Sequence, residues 1–395
     1  MRVLLFTDTY ADVNGPSRFI GNIADQAVET GRDLRVFTST RLPHKTRRNV
    51  TNFEPLFAMK MPRYDTLDLA IPPLTRMLRE VDRVRPDVIH ISTPGPVGVV
   101  GLIASRMMRC PVVGVYHTDF PAYIDRLFDD HVLTQTCSHA MRMFYGTFRA
   151  IFTRSEDYAA SLERMGIERG RLTRLLPGID LTDFNPGYRD PSIWDRLPAA
   201  AGPGGSHREA RRGDPVRVLY CGRVSVEKNL PMLTRIWKGV QECLGATGSR
   251  AELVIVGDGP YRPEMEKELS GWNVRFVGFR HGHELSTIYA SSDMFVFPSV
   301  TDTLGQVVME SQASGLPVLV TDQGGPKEVV NHGQTGLVLG AGEIGPWTDA
   351  ICGLVADGER RRSMGSAAVE IMARRSIAAS FDHFWSVHEK VYAAT

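Results

Sequence analysis

The stretch MFVFPSVTDTLGQVVMESQASGLPVLVTD, from Met294 to Asp322, contains the pattern on which the fold prediction rests. The apolar run MFVFPS is typical of a short buried strand, and PVLVTD is a second run of the same kind. Between them, LGQVVMESQASG has apolar residues at helical spacing and ends at a glycine. Strands that alternate with helices in this way predict a parallel sheet covered by helices on both faces.

The same alternation extends over both halves of the chain, and 395 residues are too many for one compact core. We therefore predict an α/β protein with two doubly wound, Rossmann-like domains that face each other across a cleft. The further predicted strands are RVLLFTD, DLRVFTS, PDVIHIS, PVVGVYHT and AIFTRSE in the first half, and VRVLYCGR, AELVIVGDGP and VRFVGF in the second.

One region interrupts the alternation. The sequence LPAAAGPGGSHREARRGDP, residues 197–215, is rich in Gly, Ala, Pro and Arg and offers little to bury, so we predict a flexible insertion there. This insertion separates an amino-terminal domain over 1–196 from a carboxyl-terminal domain over 216–375. The last segment, 376–395, predicts an amphipathic helix, which we expect to pack back on the first domain.

Composition narrows the function classes. The formal net charge of +1 gives no general attraction for nucleic acid, and we expect no nucleic-acid partner. The five dispersed cysteines have no metal-ligand spacing and favour a reducing compartment. The amino-terminal MRVLLFTDTY has an apolar core too short for a signal peptide, so we expect a cytoplasmic protein, alone or in peripheral contact with the inner face of a membrane.

Two cations follow a predicted strand in CGRVSVEKNL. Arg223 and Lys228 lie where that strand leads into a helix, and helix amino termini attract anions. The pair would add charge-assisted hydrogen bonds to a phosphate. The alternative is an exposed turn whose charges are solvated.

Two acids flank the start of the helix in the opening stretch. Asp302 lies in the loop and Glu310 lies within the helix, which we expect to begin near Thr303 to Gly305. Glu310 would accept hydrogen bonds from two ribose hydroxyls, and Asp302 would accept them from sugar hydroxyls. The backbone N–H groups of Thr303, Leu304 and Gly305 would face phosphate. The alternative is simple N-capping by Asp302.

Glycines follow two other predicted strands. Gly257 and Gly259 in VGDGP, and Gly15 in TDTYADVNGPSR, would let the backbone approach a ligand closely. Each is equally consistent with an ordinary turn between a strand and a helix.

A polar patch with aromatic neighbours follows the strand that ends at YHTDFPAY. His117, Thr118 and Asp119, with Tyr123 nearby, would suit a sugar or a lipid headgroup, and Tyr10 after the first strand is grouped with them. The alternative for His117 is a structural role.

Together these residues resemble the retaining GT-B glycosyltransferases of family four. Their signature E-x7-E has its counterpart in DTLGQVVME, residues 302–310, with Asp at the first position, and G-R-x4-K has its counterpart in GRVSVEK, residues 222–228. The text around these motifs is similar to that of GDP-mannose-dependent α-mannosyltransferases and of sulfoquinovosyl or glucosyl diacylglycerol synthases. The resemblance covers the chain apart from 197–215.

The resemblance implies a role for each motif. Arg223 and Lys228 would neutralise the diphosphate leaving group, Glu310 would bind the ribose and Asp302 the transferred hexose. His117 would lie near the anomeric carbon as a catalytic residue. The base would contact Gly278, Phe279 and Arg280.

The resemblance also implies the reaction and its partners. The predicted reaction is transfer of a hexose, with retention and by front-face attack, from GDP-mannose or a UDP-hexose to a lipid or lipid-linked glycan. No metal and no cofactor are expected. The alternatives are a non-catalytic sensor of nucleotide sugars and a nucleotide-dependent dehydrogenase, although the first strand–helix turn lacks G-x-G-x-x-G.

Two basic segments are candidates for peripheral membrane contact. The stretch Arg41–Arg48 contains no acid, and residues Pro73–Arg85 of the predicted helix Thr66–Arg85 could present a partly basic face. The alternative for each is ordinary solvation.

Overall fold

The chain divides into two compact units, which we describe separately. The computed structural model describes residues 1–11, 15–61, 64–128, 130–199, 214–302 and 304–395. Unit 1 comprises Met1–Gly178 and Ile377–Thr395, and unit 2 comprises Ile179–Ser376.

The strands are numbered along the chain. They are β1 Arg2–Thr7, β2 Asp33–Thr38, β3 Val50–Asn52, β4 Phe57–Met61, β5 Tyr64–Ile71, β6 Val88–Ile91, β7 Val112–Tyr116, β8 Ala150–Thr153, β9 Leu172–Arg174, β10 Val216–Cys221, β11 Ala251–Val256, β12 Val274–Gly278, β13 Met294–Phe297, β14 Val318–Thr321 and β15 Gly336–Leu339.

The α-helices are numbered in the same way. They are α1 Gly15–Glu29, α2 Leu74–Val84, α3 Pro96–Met108, α4 Phe120–Phe128, α5 His131–Tyr145, α6 Glu156–Arg164, α7 Ile193–Arg196, α8 Leu230–Thr247, α9 Arg262–Glu268, α10 Gly282–Ser291, α11 Gln306–Ala313, α12 Ile344–Ala356, α13 Gly358–Ala373 and α14 Ile377–Ala393. Short 3-10 helices span Arg169–Arg171, Pro186–Tyr188, Val226–Lys228 and Pro326–Val329.

Unit 1 is built on a parallel sheet with an apolar layer on each face. Within the described residues, its strand order is β3-β2-β1-β6-β7-β8-β9. Successive side chains of β1 enter different layers: Val3 and Leu5 pack with residues of α1 and α14, whereas Leu4 and Phe6 pack with residues of α2 and α3. This alternation is what a strand buried on both faces requires.

Unit 2 repeats the design with a second parallel sheet. In its described part the strand order is β12-β11-β10-β13-β14-β15, and helices α8 and α12 pack against each other. One continuous apolar core joins the sheet to its helices and includes the fully buried Trp237 and Trp347. The two doubly wound units predicted from the sequence are thus confirmed.

The division between the units falls earlier than the composition of the chain suggested. Unit 2 begins at Ile179, so residues 179–196 belong to it and not to the amino-terminal domain predicted over 1–196. Trp194 explains this, because its ring lies 4.7 Å from the guanidinium of Arg217 and its carbonyl accepts a hydrogen bond of 2.7 Å from Arg275. Leu197 is also buried in this core. Of the predicted insertion 197–215, residues 200–213 lie outside the described part.

The predicted helix Thr66–Arg85 is wrong over its first residues. Strand β5 continues to Ile71, pairs with β4 as an antiparallel hairpin, and is followed by helix α2, which begins only at Leu74. Pro72 and Pro73 account for the break, because proline lacks the N–H that either element would use.

Helix α14 belongs to unit 1, where a buried pair of histidines joins it to β6. His388 Nδ1 lies 2.7 Å from the carbonyl oxygen of Phe384, and His388 Nε2 lies 3.0 Å from His90 Nδ1. A carbonyl only accepts, so His388 carries its proton on Nδ1 and accepts through Nε2 the hydrogen bond that His90 donates. Both rings are therefore neutral.

The neutral pair links the stability of the chain to pH. Burial lowers the pKa of His388 to about 4. Burial, and then the neighbouring His388, lowers the pKa of His90 well below its ordinary value. An imidazole in the unfolded chain protonates near pH 6.5. The stability that depends on the neutral rings is therefore complete above about pH 6.5 and is lost as the pH falls below it.

We expect each of these imidazoles to lower the free energy of unfolding by about 1.4 kcal/mol between about pH 7.5 and about pH 5.5. The variant His388→Gln keeps an acceptor for His90 but cannot titrate, so its loss over this interval should be smaller by that amount. Urea titrations at the two pH values measure the difference. The exposed His131→Gln serves as the control and should behave as the wild type does. An equal pH dependence in His388→Gln and the wild type would contradict the assignment.

Candidate functional site

The candidate site of unit 2 lies where its strand order reverses. Strand β10 has β11 on one side and β13 on the other, so the loops that follow β10 and β13 leave the sheet at its topological switch point. In open α/β sheets, ligands bind outside the carboxyl ends of the strands at such a point. We call residues 222–229, 298–302 and 304–305 the switch loops.

An ion pair joins the two switch loops. Lys228 Nζ lies 2.9 Å from Oδ1 and 2.8 Å from Oδ2 of Asp302. The two side chains are 20% and 26% exposed, so the pair is mostly covered but remains partly accessible to solvent. The hydroxyl of Thr301 also donates to the carbonyl oxygen of Glu227 at 3.2 Å. The structure thus brings together one cation and one acid that the sequence singled out separately.

Arg223 lies beside this pair on the same loop. Its side chain is 67% exposed, and its Nη1 lies 3.8 Å from Oε1 of Glu227. A hydrogen bond fixes its backbone, because the buried hydroxyl of Tyr220 donates to the carbonyl oxygen of Arg223 at 2.9 Å. The loop is therefore fixed while the guanidinium remains open to solvent.

Glu310 lies within α11 and is only 5% exposed. The hydroxyl of Tyr289 donates to its Oε2 at 3.1 Å. Burial raises the pKa of Tyr289 well above its ordinary value, so the hydroxyl stays protonated as a donor. The same hydroxyl also interacts with Cys221, the last residue of β10, and burial raises the pKa of that thiol to about 12. Through Tyr289 the buried carboxylate of Glu310 is thus linked to the end of β10 at the switch point.

The glycine turns interlock with the first switch loop. Gly257 has φ of 126°, and a Cβ there would lie 2.0 Å from the carbonyl oxygen of Gly222. A Cβ on Gly259 would lie 2.3 Å from the carbonyl oxygen of Val224. The N–H of Gly257 donates to the carbonyl oxygen of Gly278 at 2.9 Å, which joins the ends of β11 and β12. Both glycines are therefore required by close packing of the loops.

The remaining residues predicted in unit 2 extend along the same edge. Phe279 follows β12 and is exposed, and Arg280 pairs with Glu284 at 3.2 Å. Helix α11 begins at Gln306, one residue after the predicted range, and Gly305 is its N-cap with φ of 73°. Leu304 is half-buried, and Thr303 lies outside the described residues.

In unit 1, His117 has both ring nitrogens engaged. Nδ1 accepts a hydrogen bond of 3.0 Å from Nε of Arg154, and Nε2 lies 3.2 Å from Oγ of Ser92. Burial, and then the charge of Arg154, lowers the pKa of His117 well below its ordinary value. Arginine only donates, so His117 is neutral, with its proton on Nε2. In this arrangement the imidazole is a link within the protein and offers no nitrogen to a substrate.

The other candidates of unit 1 are dispersed. Asp119 accepts hydrogen bonds from the hydroxyl of Tyr116 and from the N–H of Ala122 at the start of α4, and Thr118 lies in the same loop. Tyr123 lies within α4, but its side chain is outside the described part. The hydroxyl of Tyr10 contacts Arg47 and Lys45, beyond β2, so the structure does not bring it to the end of β7.

Three polar groups at these edges are absent from the sequence-based candidates. Arg154 follows β8, and Tyr289 holds Glu310. Asp8 follows β1 and accepts hydrogen bonds from the hydroxyl of Thr93 and from the N–H of Val97 near the start of α3. For Asp8 and Arg154 the available signal was a polar residue directly after a buried strand. Tyr289 lies inside a helix, where no such signal exists.

Two further properties concern the described residues alone. Within them, no cluster of three or more His, Cys, Asp or Glu side chains has an arrangement that would hold a metal ion. In the same part of the chain, no helix is both long enough and apolar enough to cross a membrane.

Comparison with known proteins gives two family matches. The model described as Glycosyltransferase Family 4 matches residues 13–183, and the model described as Glycosyl transferases group 1 matches residues 215–357.

Two curated relatives resemble the chain in sequence. One is the GDP-mannose-dependent alpha-mannosyltransferase of Mycobacterium tuberculosis, which is 30% identical over 385 residues, covering 95% of this chain and 92% of the relative. The other is the sulfoquinovosyl transferase SQD2 of Arabidopsis thaliana, which is 31% identical over 315 residues. That alignment covers 78% of this chain, and the chain spans only 58% of the length of SQD2.

A solved structure shares the fold. HepE of Anabaena in complex with UDP superimposes with a TM-score of 0.71 at 18% identity, covering 99% of this chain and 100% of that one. This likeness establishes the fold, and the relative from Mycobacterium tuberculosis establishes the family. The chain therefore belongs to glycosyltransferase family 4 and is a glycosyltransferase.

Proposed function

We propose that the chain transfers a hexose from a nucleoside-diphosphate sugar to an acceptor hydroxyl with retention of configuration. The observation that supports this most strongly is the Lys228–Asp302 ion pair at the switch point of unit 2, with Arg223 on the first switch loop and Glu310 in the helix that follows the second. These side chains offer two cations for a diphosphate and two carboxylates for the hydroxyls of the ribose and the hexose.

Each group has a defined task in this proposal. Arg223 and Lys228 bind the diphosphate, and the N–H groups at the start of α11 assist them. Glu310, oriented by Tyr289, accepts from the ribose, and Asp302 accepts from the hexose. The exposed ring of Phe279 and the neighbouring Arg280 lie one strand beyond the glycine turn of Gly257 and contact the base.

The proposed mechanism follows from the atoms on which negative charge develops during the transfer. The bond between the anomeric carbon and the phosphate oxygen breaks, and negative charge accumulates on the diphosphate, where fixed cations stabilise it most. The acceptor oxygen attacks from the same face, and its proton passes to the departing phosphate oxygen. Arg223 and Lys228 take the role that a metal ion plays elsewhere, so the proposal includes no metal and no cofactor. His117 is not the base, since both of its nitrogens are engaged.

The donor and acceptor classes are drawn from the relatives. We propose GDP-mannose or a UDP-hexose as donor, because the mycobacterial relative is named for GDP-mannose and the Anabaena structure contains UDP. We propose a membrane lipid or lipid-linked glycan as acceptor, because a relative from Streptococcus pneumoniae that is 24% identical is named for synthesis of monoglucosyldiacylglycerol. The proposal sets the reaction at the cytoplasmic face of the membrane.

The two cations give the first functional prediction. Arg223→Ala and Lys228→Ala should each lower turnover roughly 10²- to 10³-fold, because each removes charge stabilisation that matters most in the transition state. Initial rates of sugar transfer, or of donor hydrolysis without acceptor, measure the loss. The control is Arg235→Ala, on the exposed face of α8. Undiminished turnover in both variants would refute the assignment.

The ion pair gives a second, less intuitive prediction. Asp302 occupies Lys228 and repels a diphosphate, so Asp302→Asn should bind UDP or GDP about fivefold more tightly, equivalent to about 1 kcal/mol. Turnover should nevertheless fall, since the hexose loses its acceptor group. Calorimetric titration with the sugar-free nucleotides separates the two effects. Asp349→Asn, which removes an exposed negative charge elsewhere in unit 2, should leave affinity unchanged. Weaker nucleotide binding by Asp302→Asn would show that Lys228 does not exchange partners.

The acceptor proposal implies a membrane-facing surface, and ion pairs reduce the basic charge that the stretch Arg41–Arg48 offers for it. Three of its four arginines and lysines are paired with acids from other segments, because Arg47 and Lys45 share Asp25 and Arg41 pairs with Glu54. Two carboxylates thus offset two of its four positive charges, so this stretch alone is a weaker candidate for membrane contact.

An apolar surface near the β4–β5 hairpin is the better candidate. Leu56 is 72% exposed, and Phe57 and Ile71 of the hairpin are also exposed. Helix α3, which contacts β5 and α2, exposes an apolar stripe at four-residue spacing, formed by Val99, Ile103 and Met107. We call these residues the apolar face. Exposed arginines of α2, Arg76 and Arg79, complement it for an anionic bilayer.

Vesicle flotation tests this surface. The wild type should float with vesicles that contain anionic phospholipid, and Phe57→Ser combined with Ile103→Ser should reduce the bound fraction severalfold, because apolar insertion is lost. Tyr392→Ser, an exposed aromatic position on α14, is the control. Equal flotation of the double variant and the wild type would exclude the apolar face as the contact.

A further inference from the structure

Arg154 is a buried cation at the carboxyl edge of unit 1. It directly follows β8, one strand beyond the end of β7, where His117 lies. Arg154 is only 6% exposed. Its Nε donates to Nδ1 of His117 at 3.0 Å, and His117 is in turn held by Ser92. This chain of contacts fixes the plane of the guanidinium.

The charge of Arg154 has no acidic partner in the described part of the chain. No carboxylate there lies within ion-pair distance of it, whereas the buried Arg275 pairs with Glu252 at 2.6 Å and Arg47 pairs with Asp25 at 2.7 Å. Burial lowers the pKa of Arg154 to about 10, which leaves it charged at neutral pH. Removing an ion from water is costly, so buried charges are ordinarily compensated by a partner.

The outer nitrogens of Arg154 lie at the start of α1. A Cβ placed on Gly15 would lie 3.3 Å from Nη1 and 4.0 Å from Nη2, and Gly15 itself is exposed. Helix α1 has 15 residues, so its amino end carries a substantial positive dipole. Within the described residues, Nη1 and Nη2 have no hydrogen-bond partner, in contrast to Nε. Two positive features therefore face the same solvent-accessible point.

We propose that Arg154 and the amino end of α1 form a binding site for a phosphate-class oxyanion of a substrate, with His117 as the positioning residue that aims the guanidinium. A guanidinium presents a planar fork that matches two phosphate oxygens, and a helix amino end stabilises the same charge. The neutral imidazole suits this task because it accepts from Nε without competing for the anion. Assignment of the oxyanion to a substrate rests on the proposed function; the binding of phosphate itself does not.

Titration of the full-length chain with inorganic phosphate tests the site directly. The parent protein for this titration is the double variant Arg223→Gln, Lys228→Gln. In this variant the cations of unit 2 no longer offer a competing site for phosphate. Phosphate should raise the melting temperature of this parent, since it binds only the folded state. Adding Arg154→Gln should weaken phosphate binding at least tenfold, and Arg154→Lys should retain part of it. The control Arg149→Gln, an exposed arginine just before β8, should bind as the parent does.

Two results would overturn the site: a parent that does not respond to phosphate, or equal phosphate binding in the parent and Arg154→Gln. If Arg154→Gln does not fold, Arg154→Lys and the His117 variants decide. His117→Gln keeps an acceptor for Nε and should bind phosphate as the parent does, whereas His117→Leu should bind it severalfold more weakly. Equal binding by these two variants would remove the positioning role of His117.

The source of the oxyanion is resolved in the otherwise wild-type chain. If the oxyanion is the donor diphosphate, Arg154→Gln should weaken the binding of UDP and GDP. If it belongs to a phosphorylated acceptor, the same variant should weaken the binding of glycerol 3-phosphate. Unchanged binding of all three compounds would overturn the assignment to a substrate. Failure of the proposed function would appear differently, as undiminished turnover in Arg223→Ala and Lys228→Ala, and would leave the phosphate titration unaffected.

Discussion

Strands that are buried on both faces leave a parallel sheet only one place for chemistry. In β1 of unit 1, Val3 and Leu5 enter one apolar layer while Leu4 and Phe6 enter the other, so no position along the strand is available to a ligand. Polar groups are therefore confined to the ends of the strands. Because all strands of the main sheet of each unit are parallel, those ends meet at one edge, and residues distant in sequence become neighbours there.

The strength of an ion pair determines which task it can perform at such an edge. The side chains of Lys228 and Asp302 are 20% and 26% exposed, so solvent screens their attraction more than in a fully buried pair, and a diphosphate replaces the carboxylate at a lower cost. Glu252 with Arg275 is different, because both are well buried and breaking such a pair costs about 3–5 kcal/mol. That pair holds the segment around Trp194 on unit 2 through the hydrogen bond from Arg275. Partial exposure thus suits exchange, and burial suits anchoring.

Much of this arrangement was accessible from the sequence, because strand and helix periodicity is local. The positions of Lys228 and Asp302 after strands could be predicted for the same reason. Their mutual pairing could not, since it joins residues 74 positions apart, and nothing in the spacing distinguishes one partner from another. The link from Arg154 to His117, over 37 positions, was hidden in the same way.

Composition was a weaker guide where few residues determine the outcome. The Gly- and Ala-rich insertion suggested a domain boundary near 196, yet unit 2 begins at Ile179. A single large ring, Trp194, stacks on Arg217 and carries the preceding segment into the second core. A count of residue types does not register such an anchor, because its effect depends on a cation that strand β10 supplies.

The edge of unit 1 is supported by neutral imidazoles in succession. His388 of α14 accepts from His90 of β6, and Ser92, just beyond the end of β6, contacts His117, which accepts from Arg154. Burial keeps these rings uncharged, so His388 accepts from His90, and His117 accepts from Arg154 without adding a second positive charge beside it. A protonated ring in place of His117 would repel the guanidinium and lose the lone pair that orients it. Helix α14, which returns to unit 1, therefore supports through β6 the strand ends where Arg154 lies.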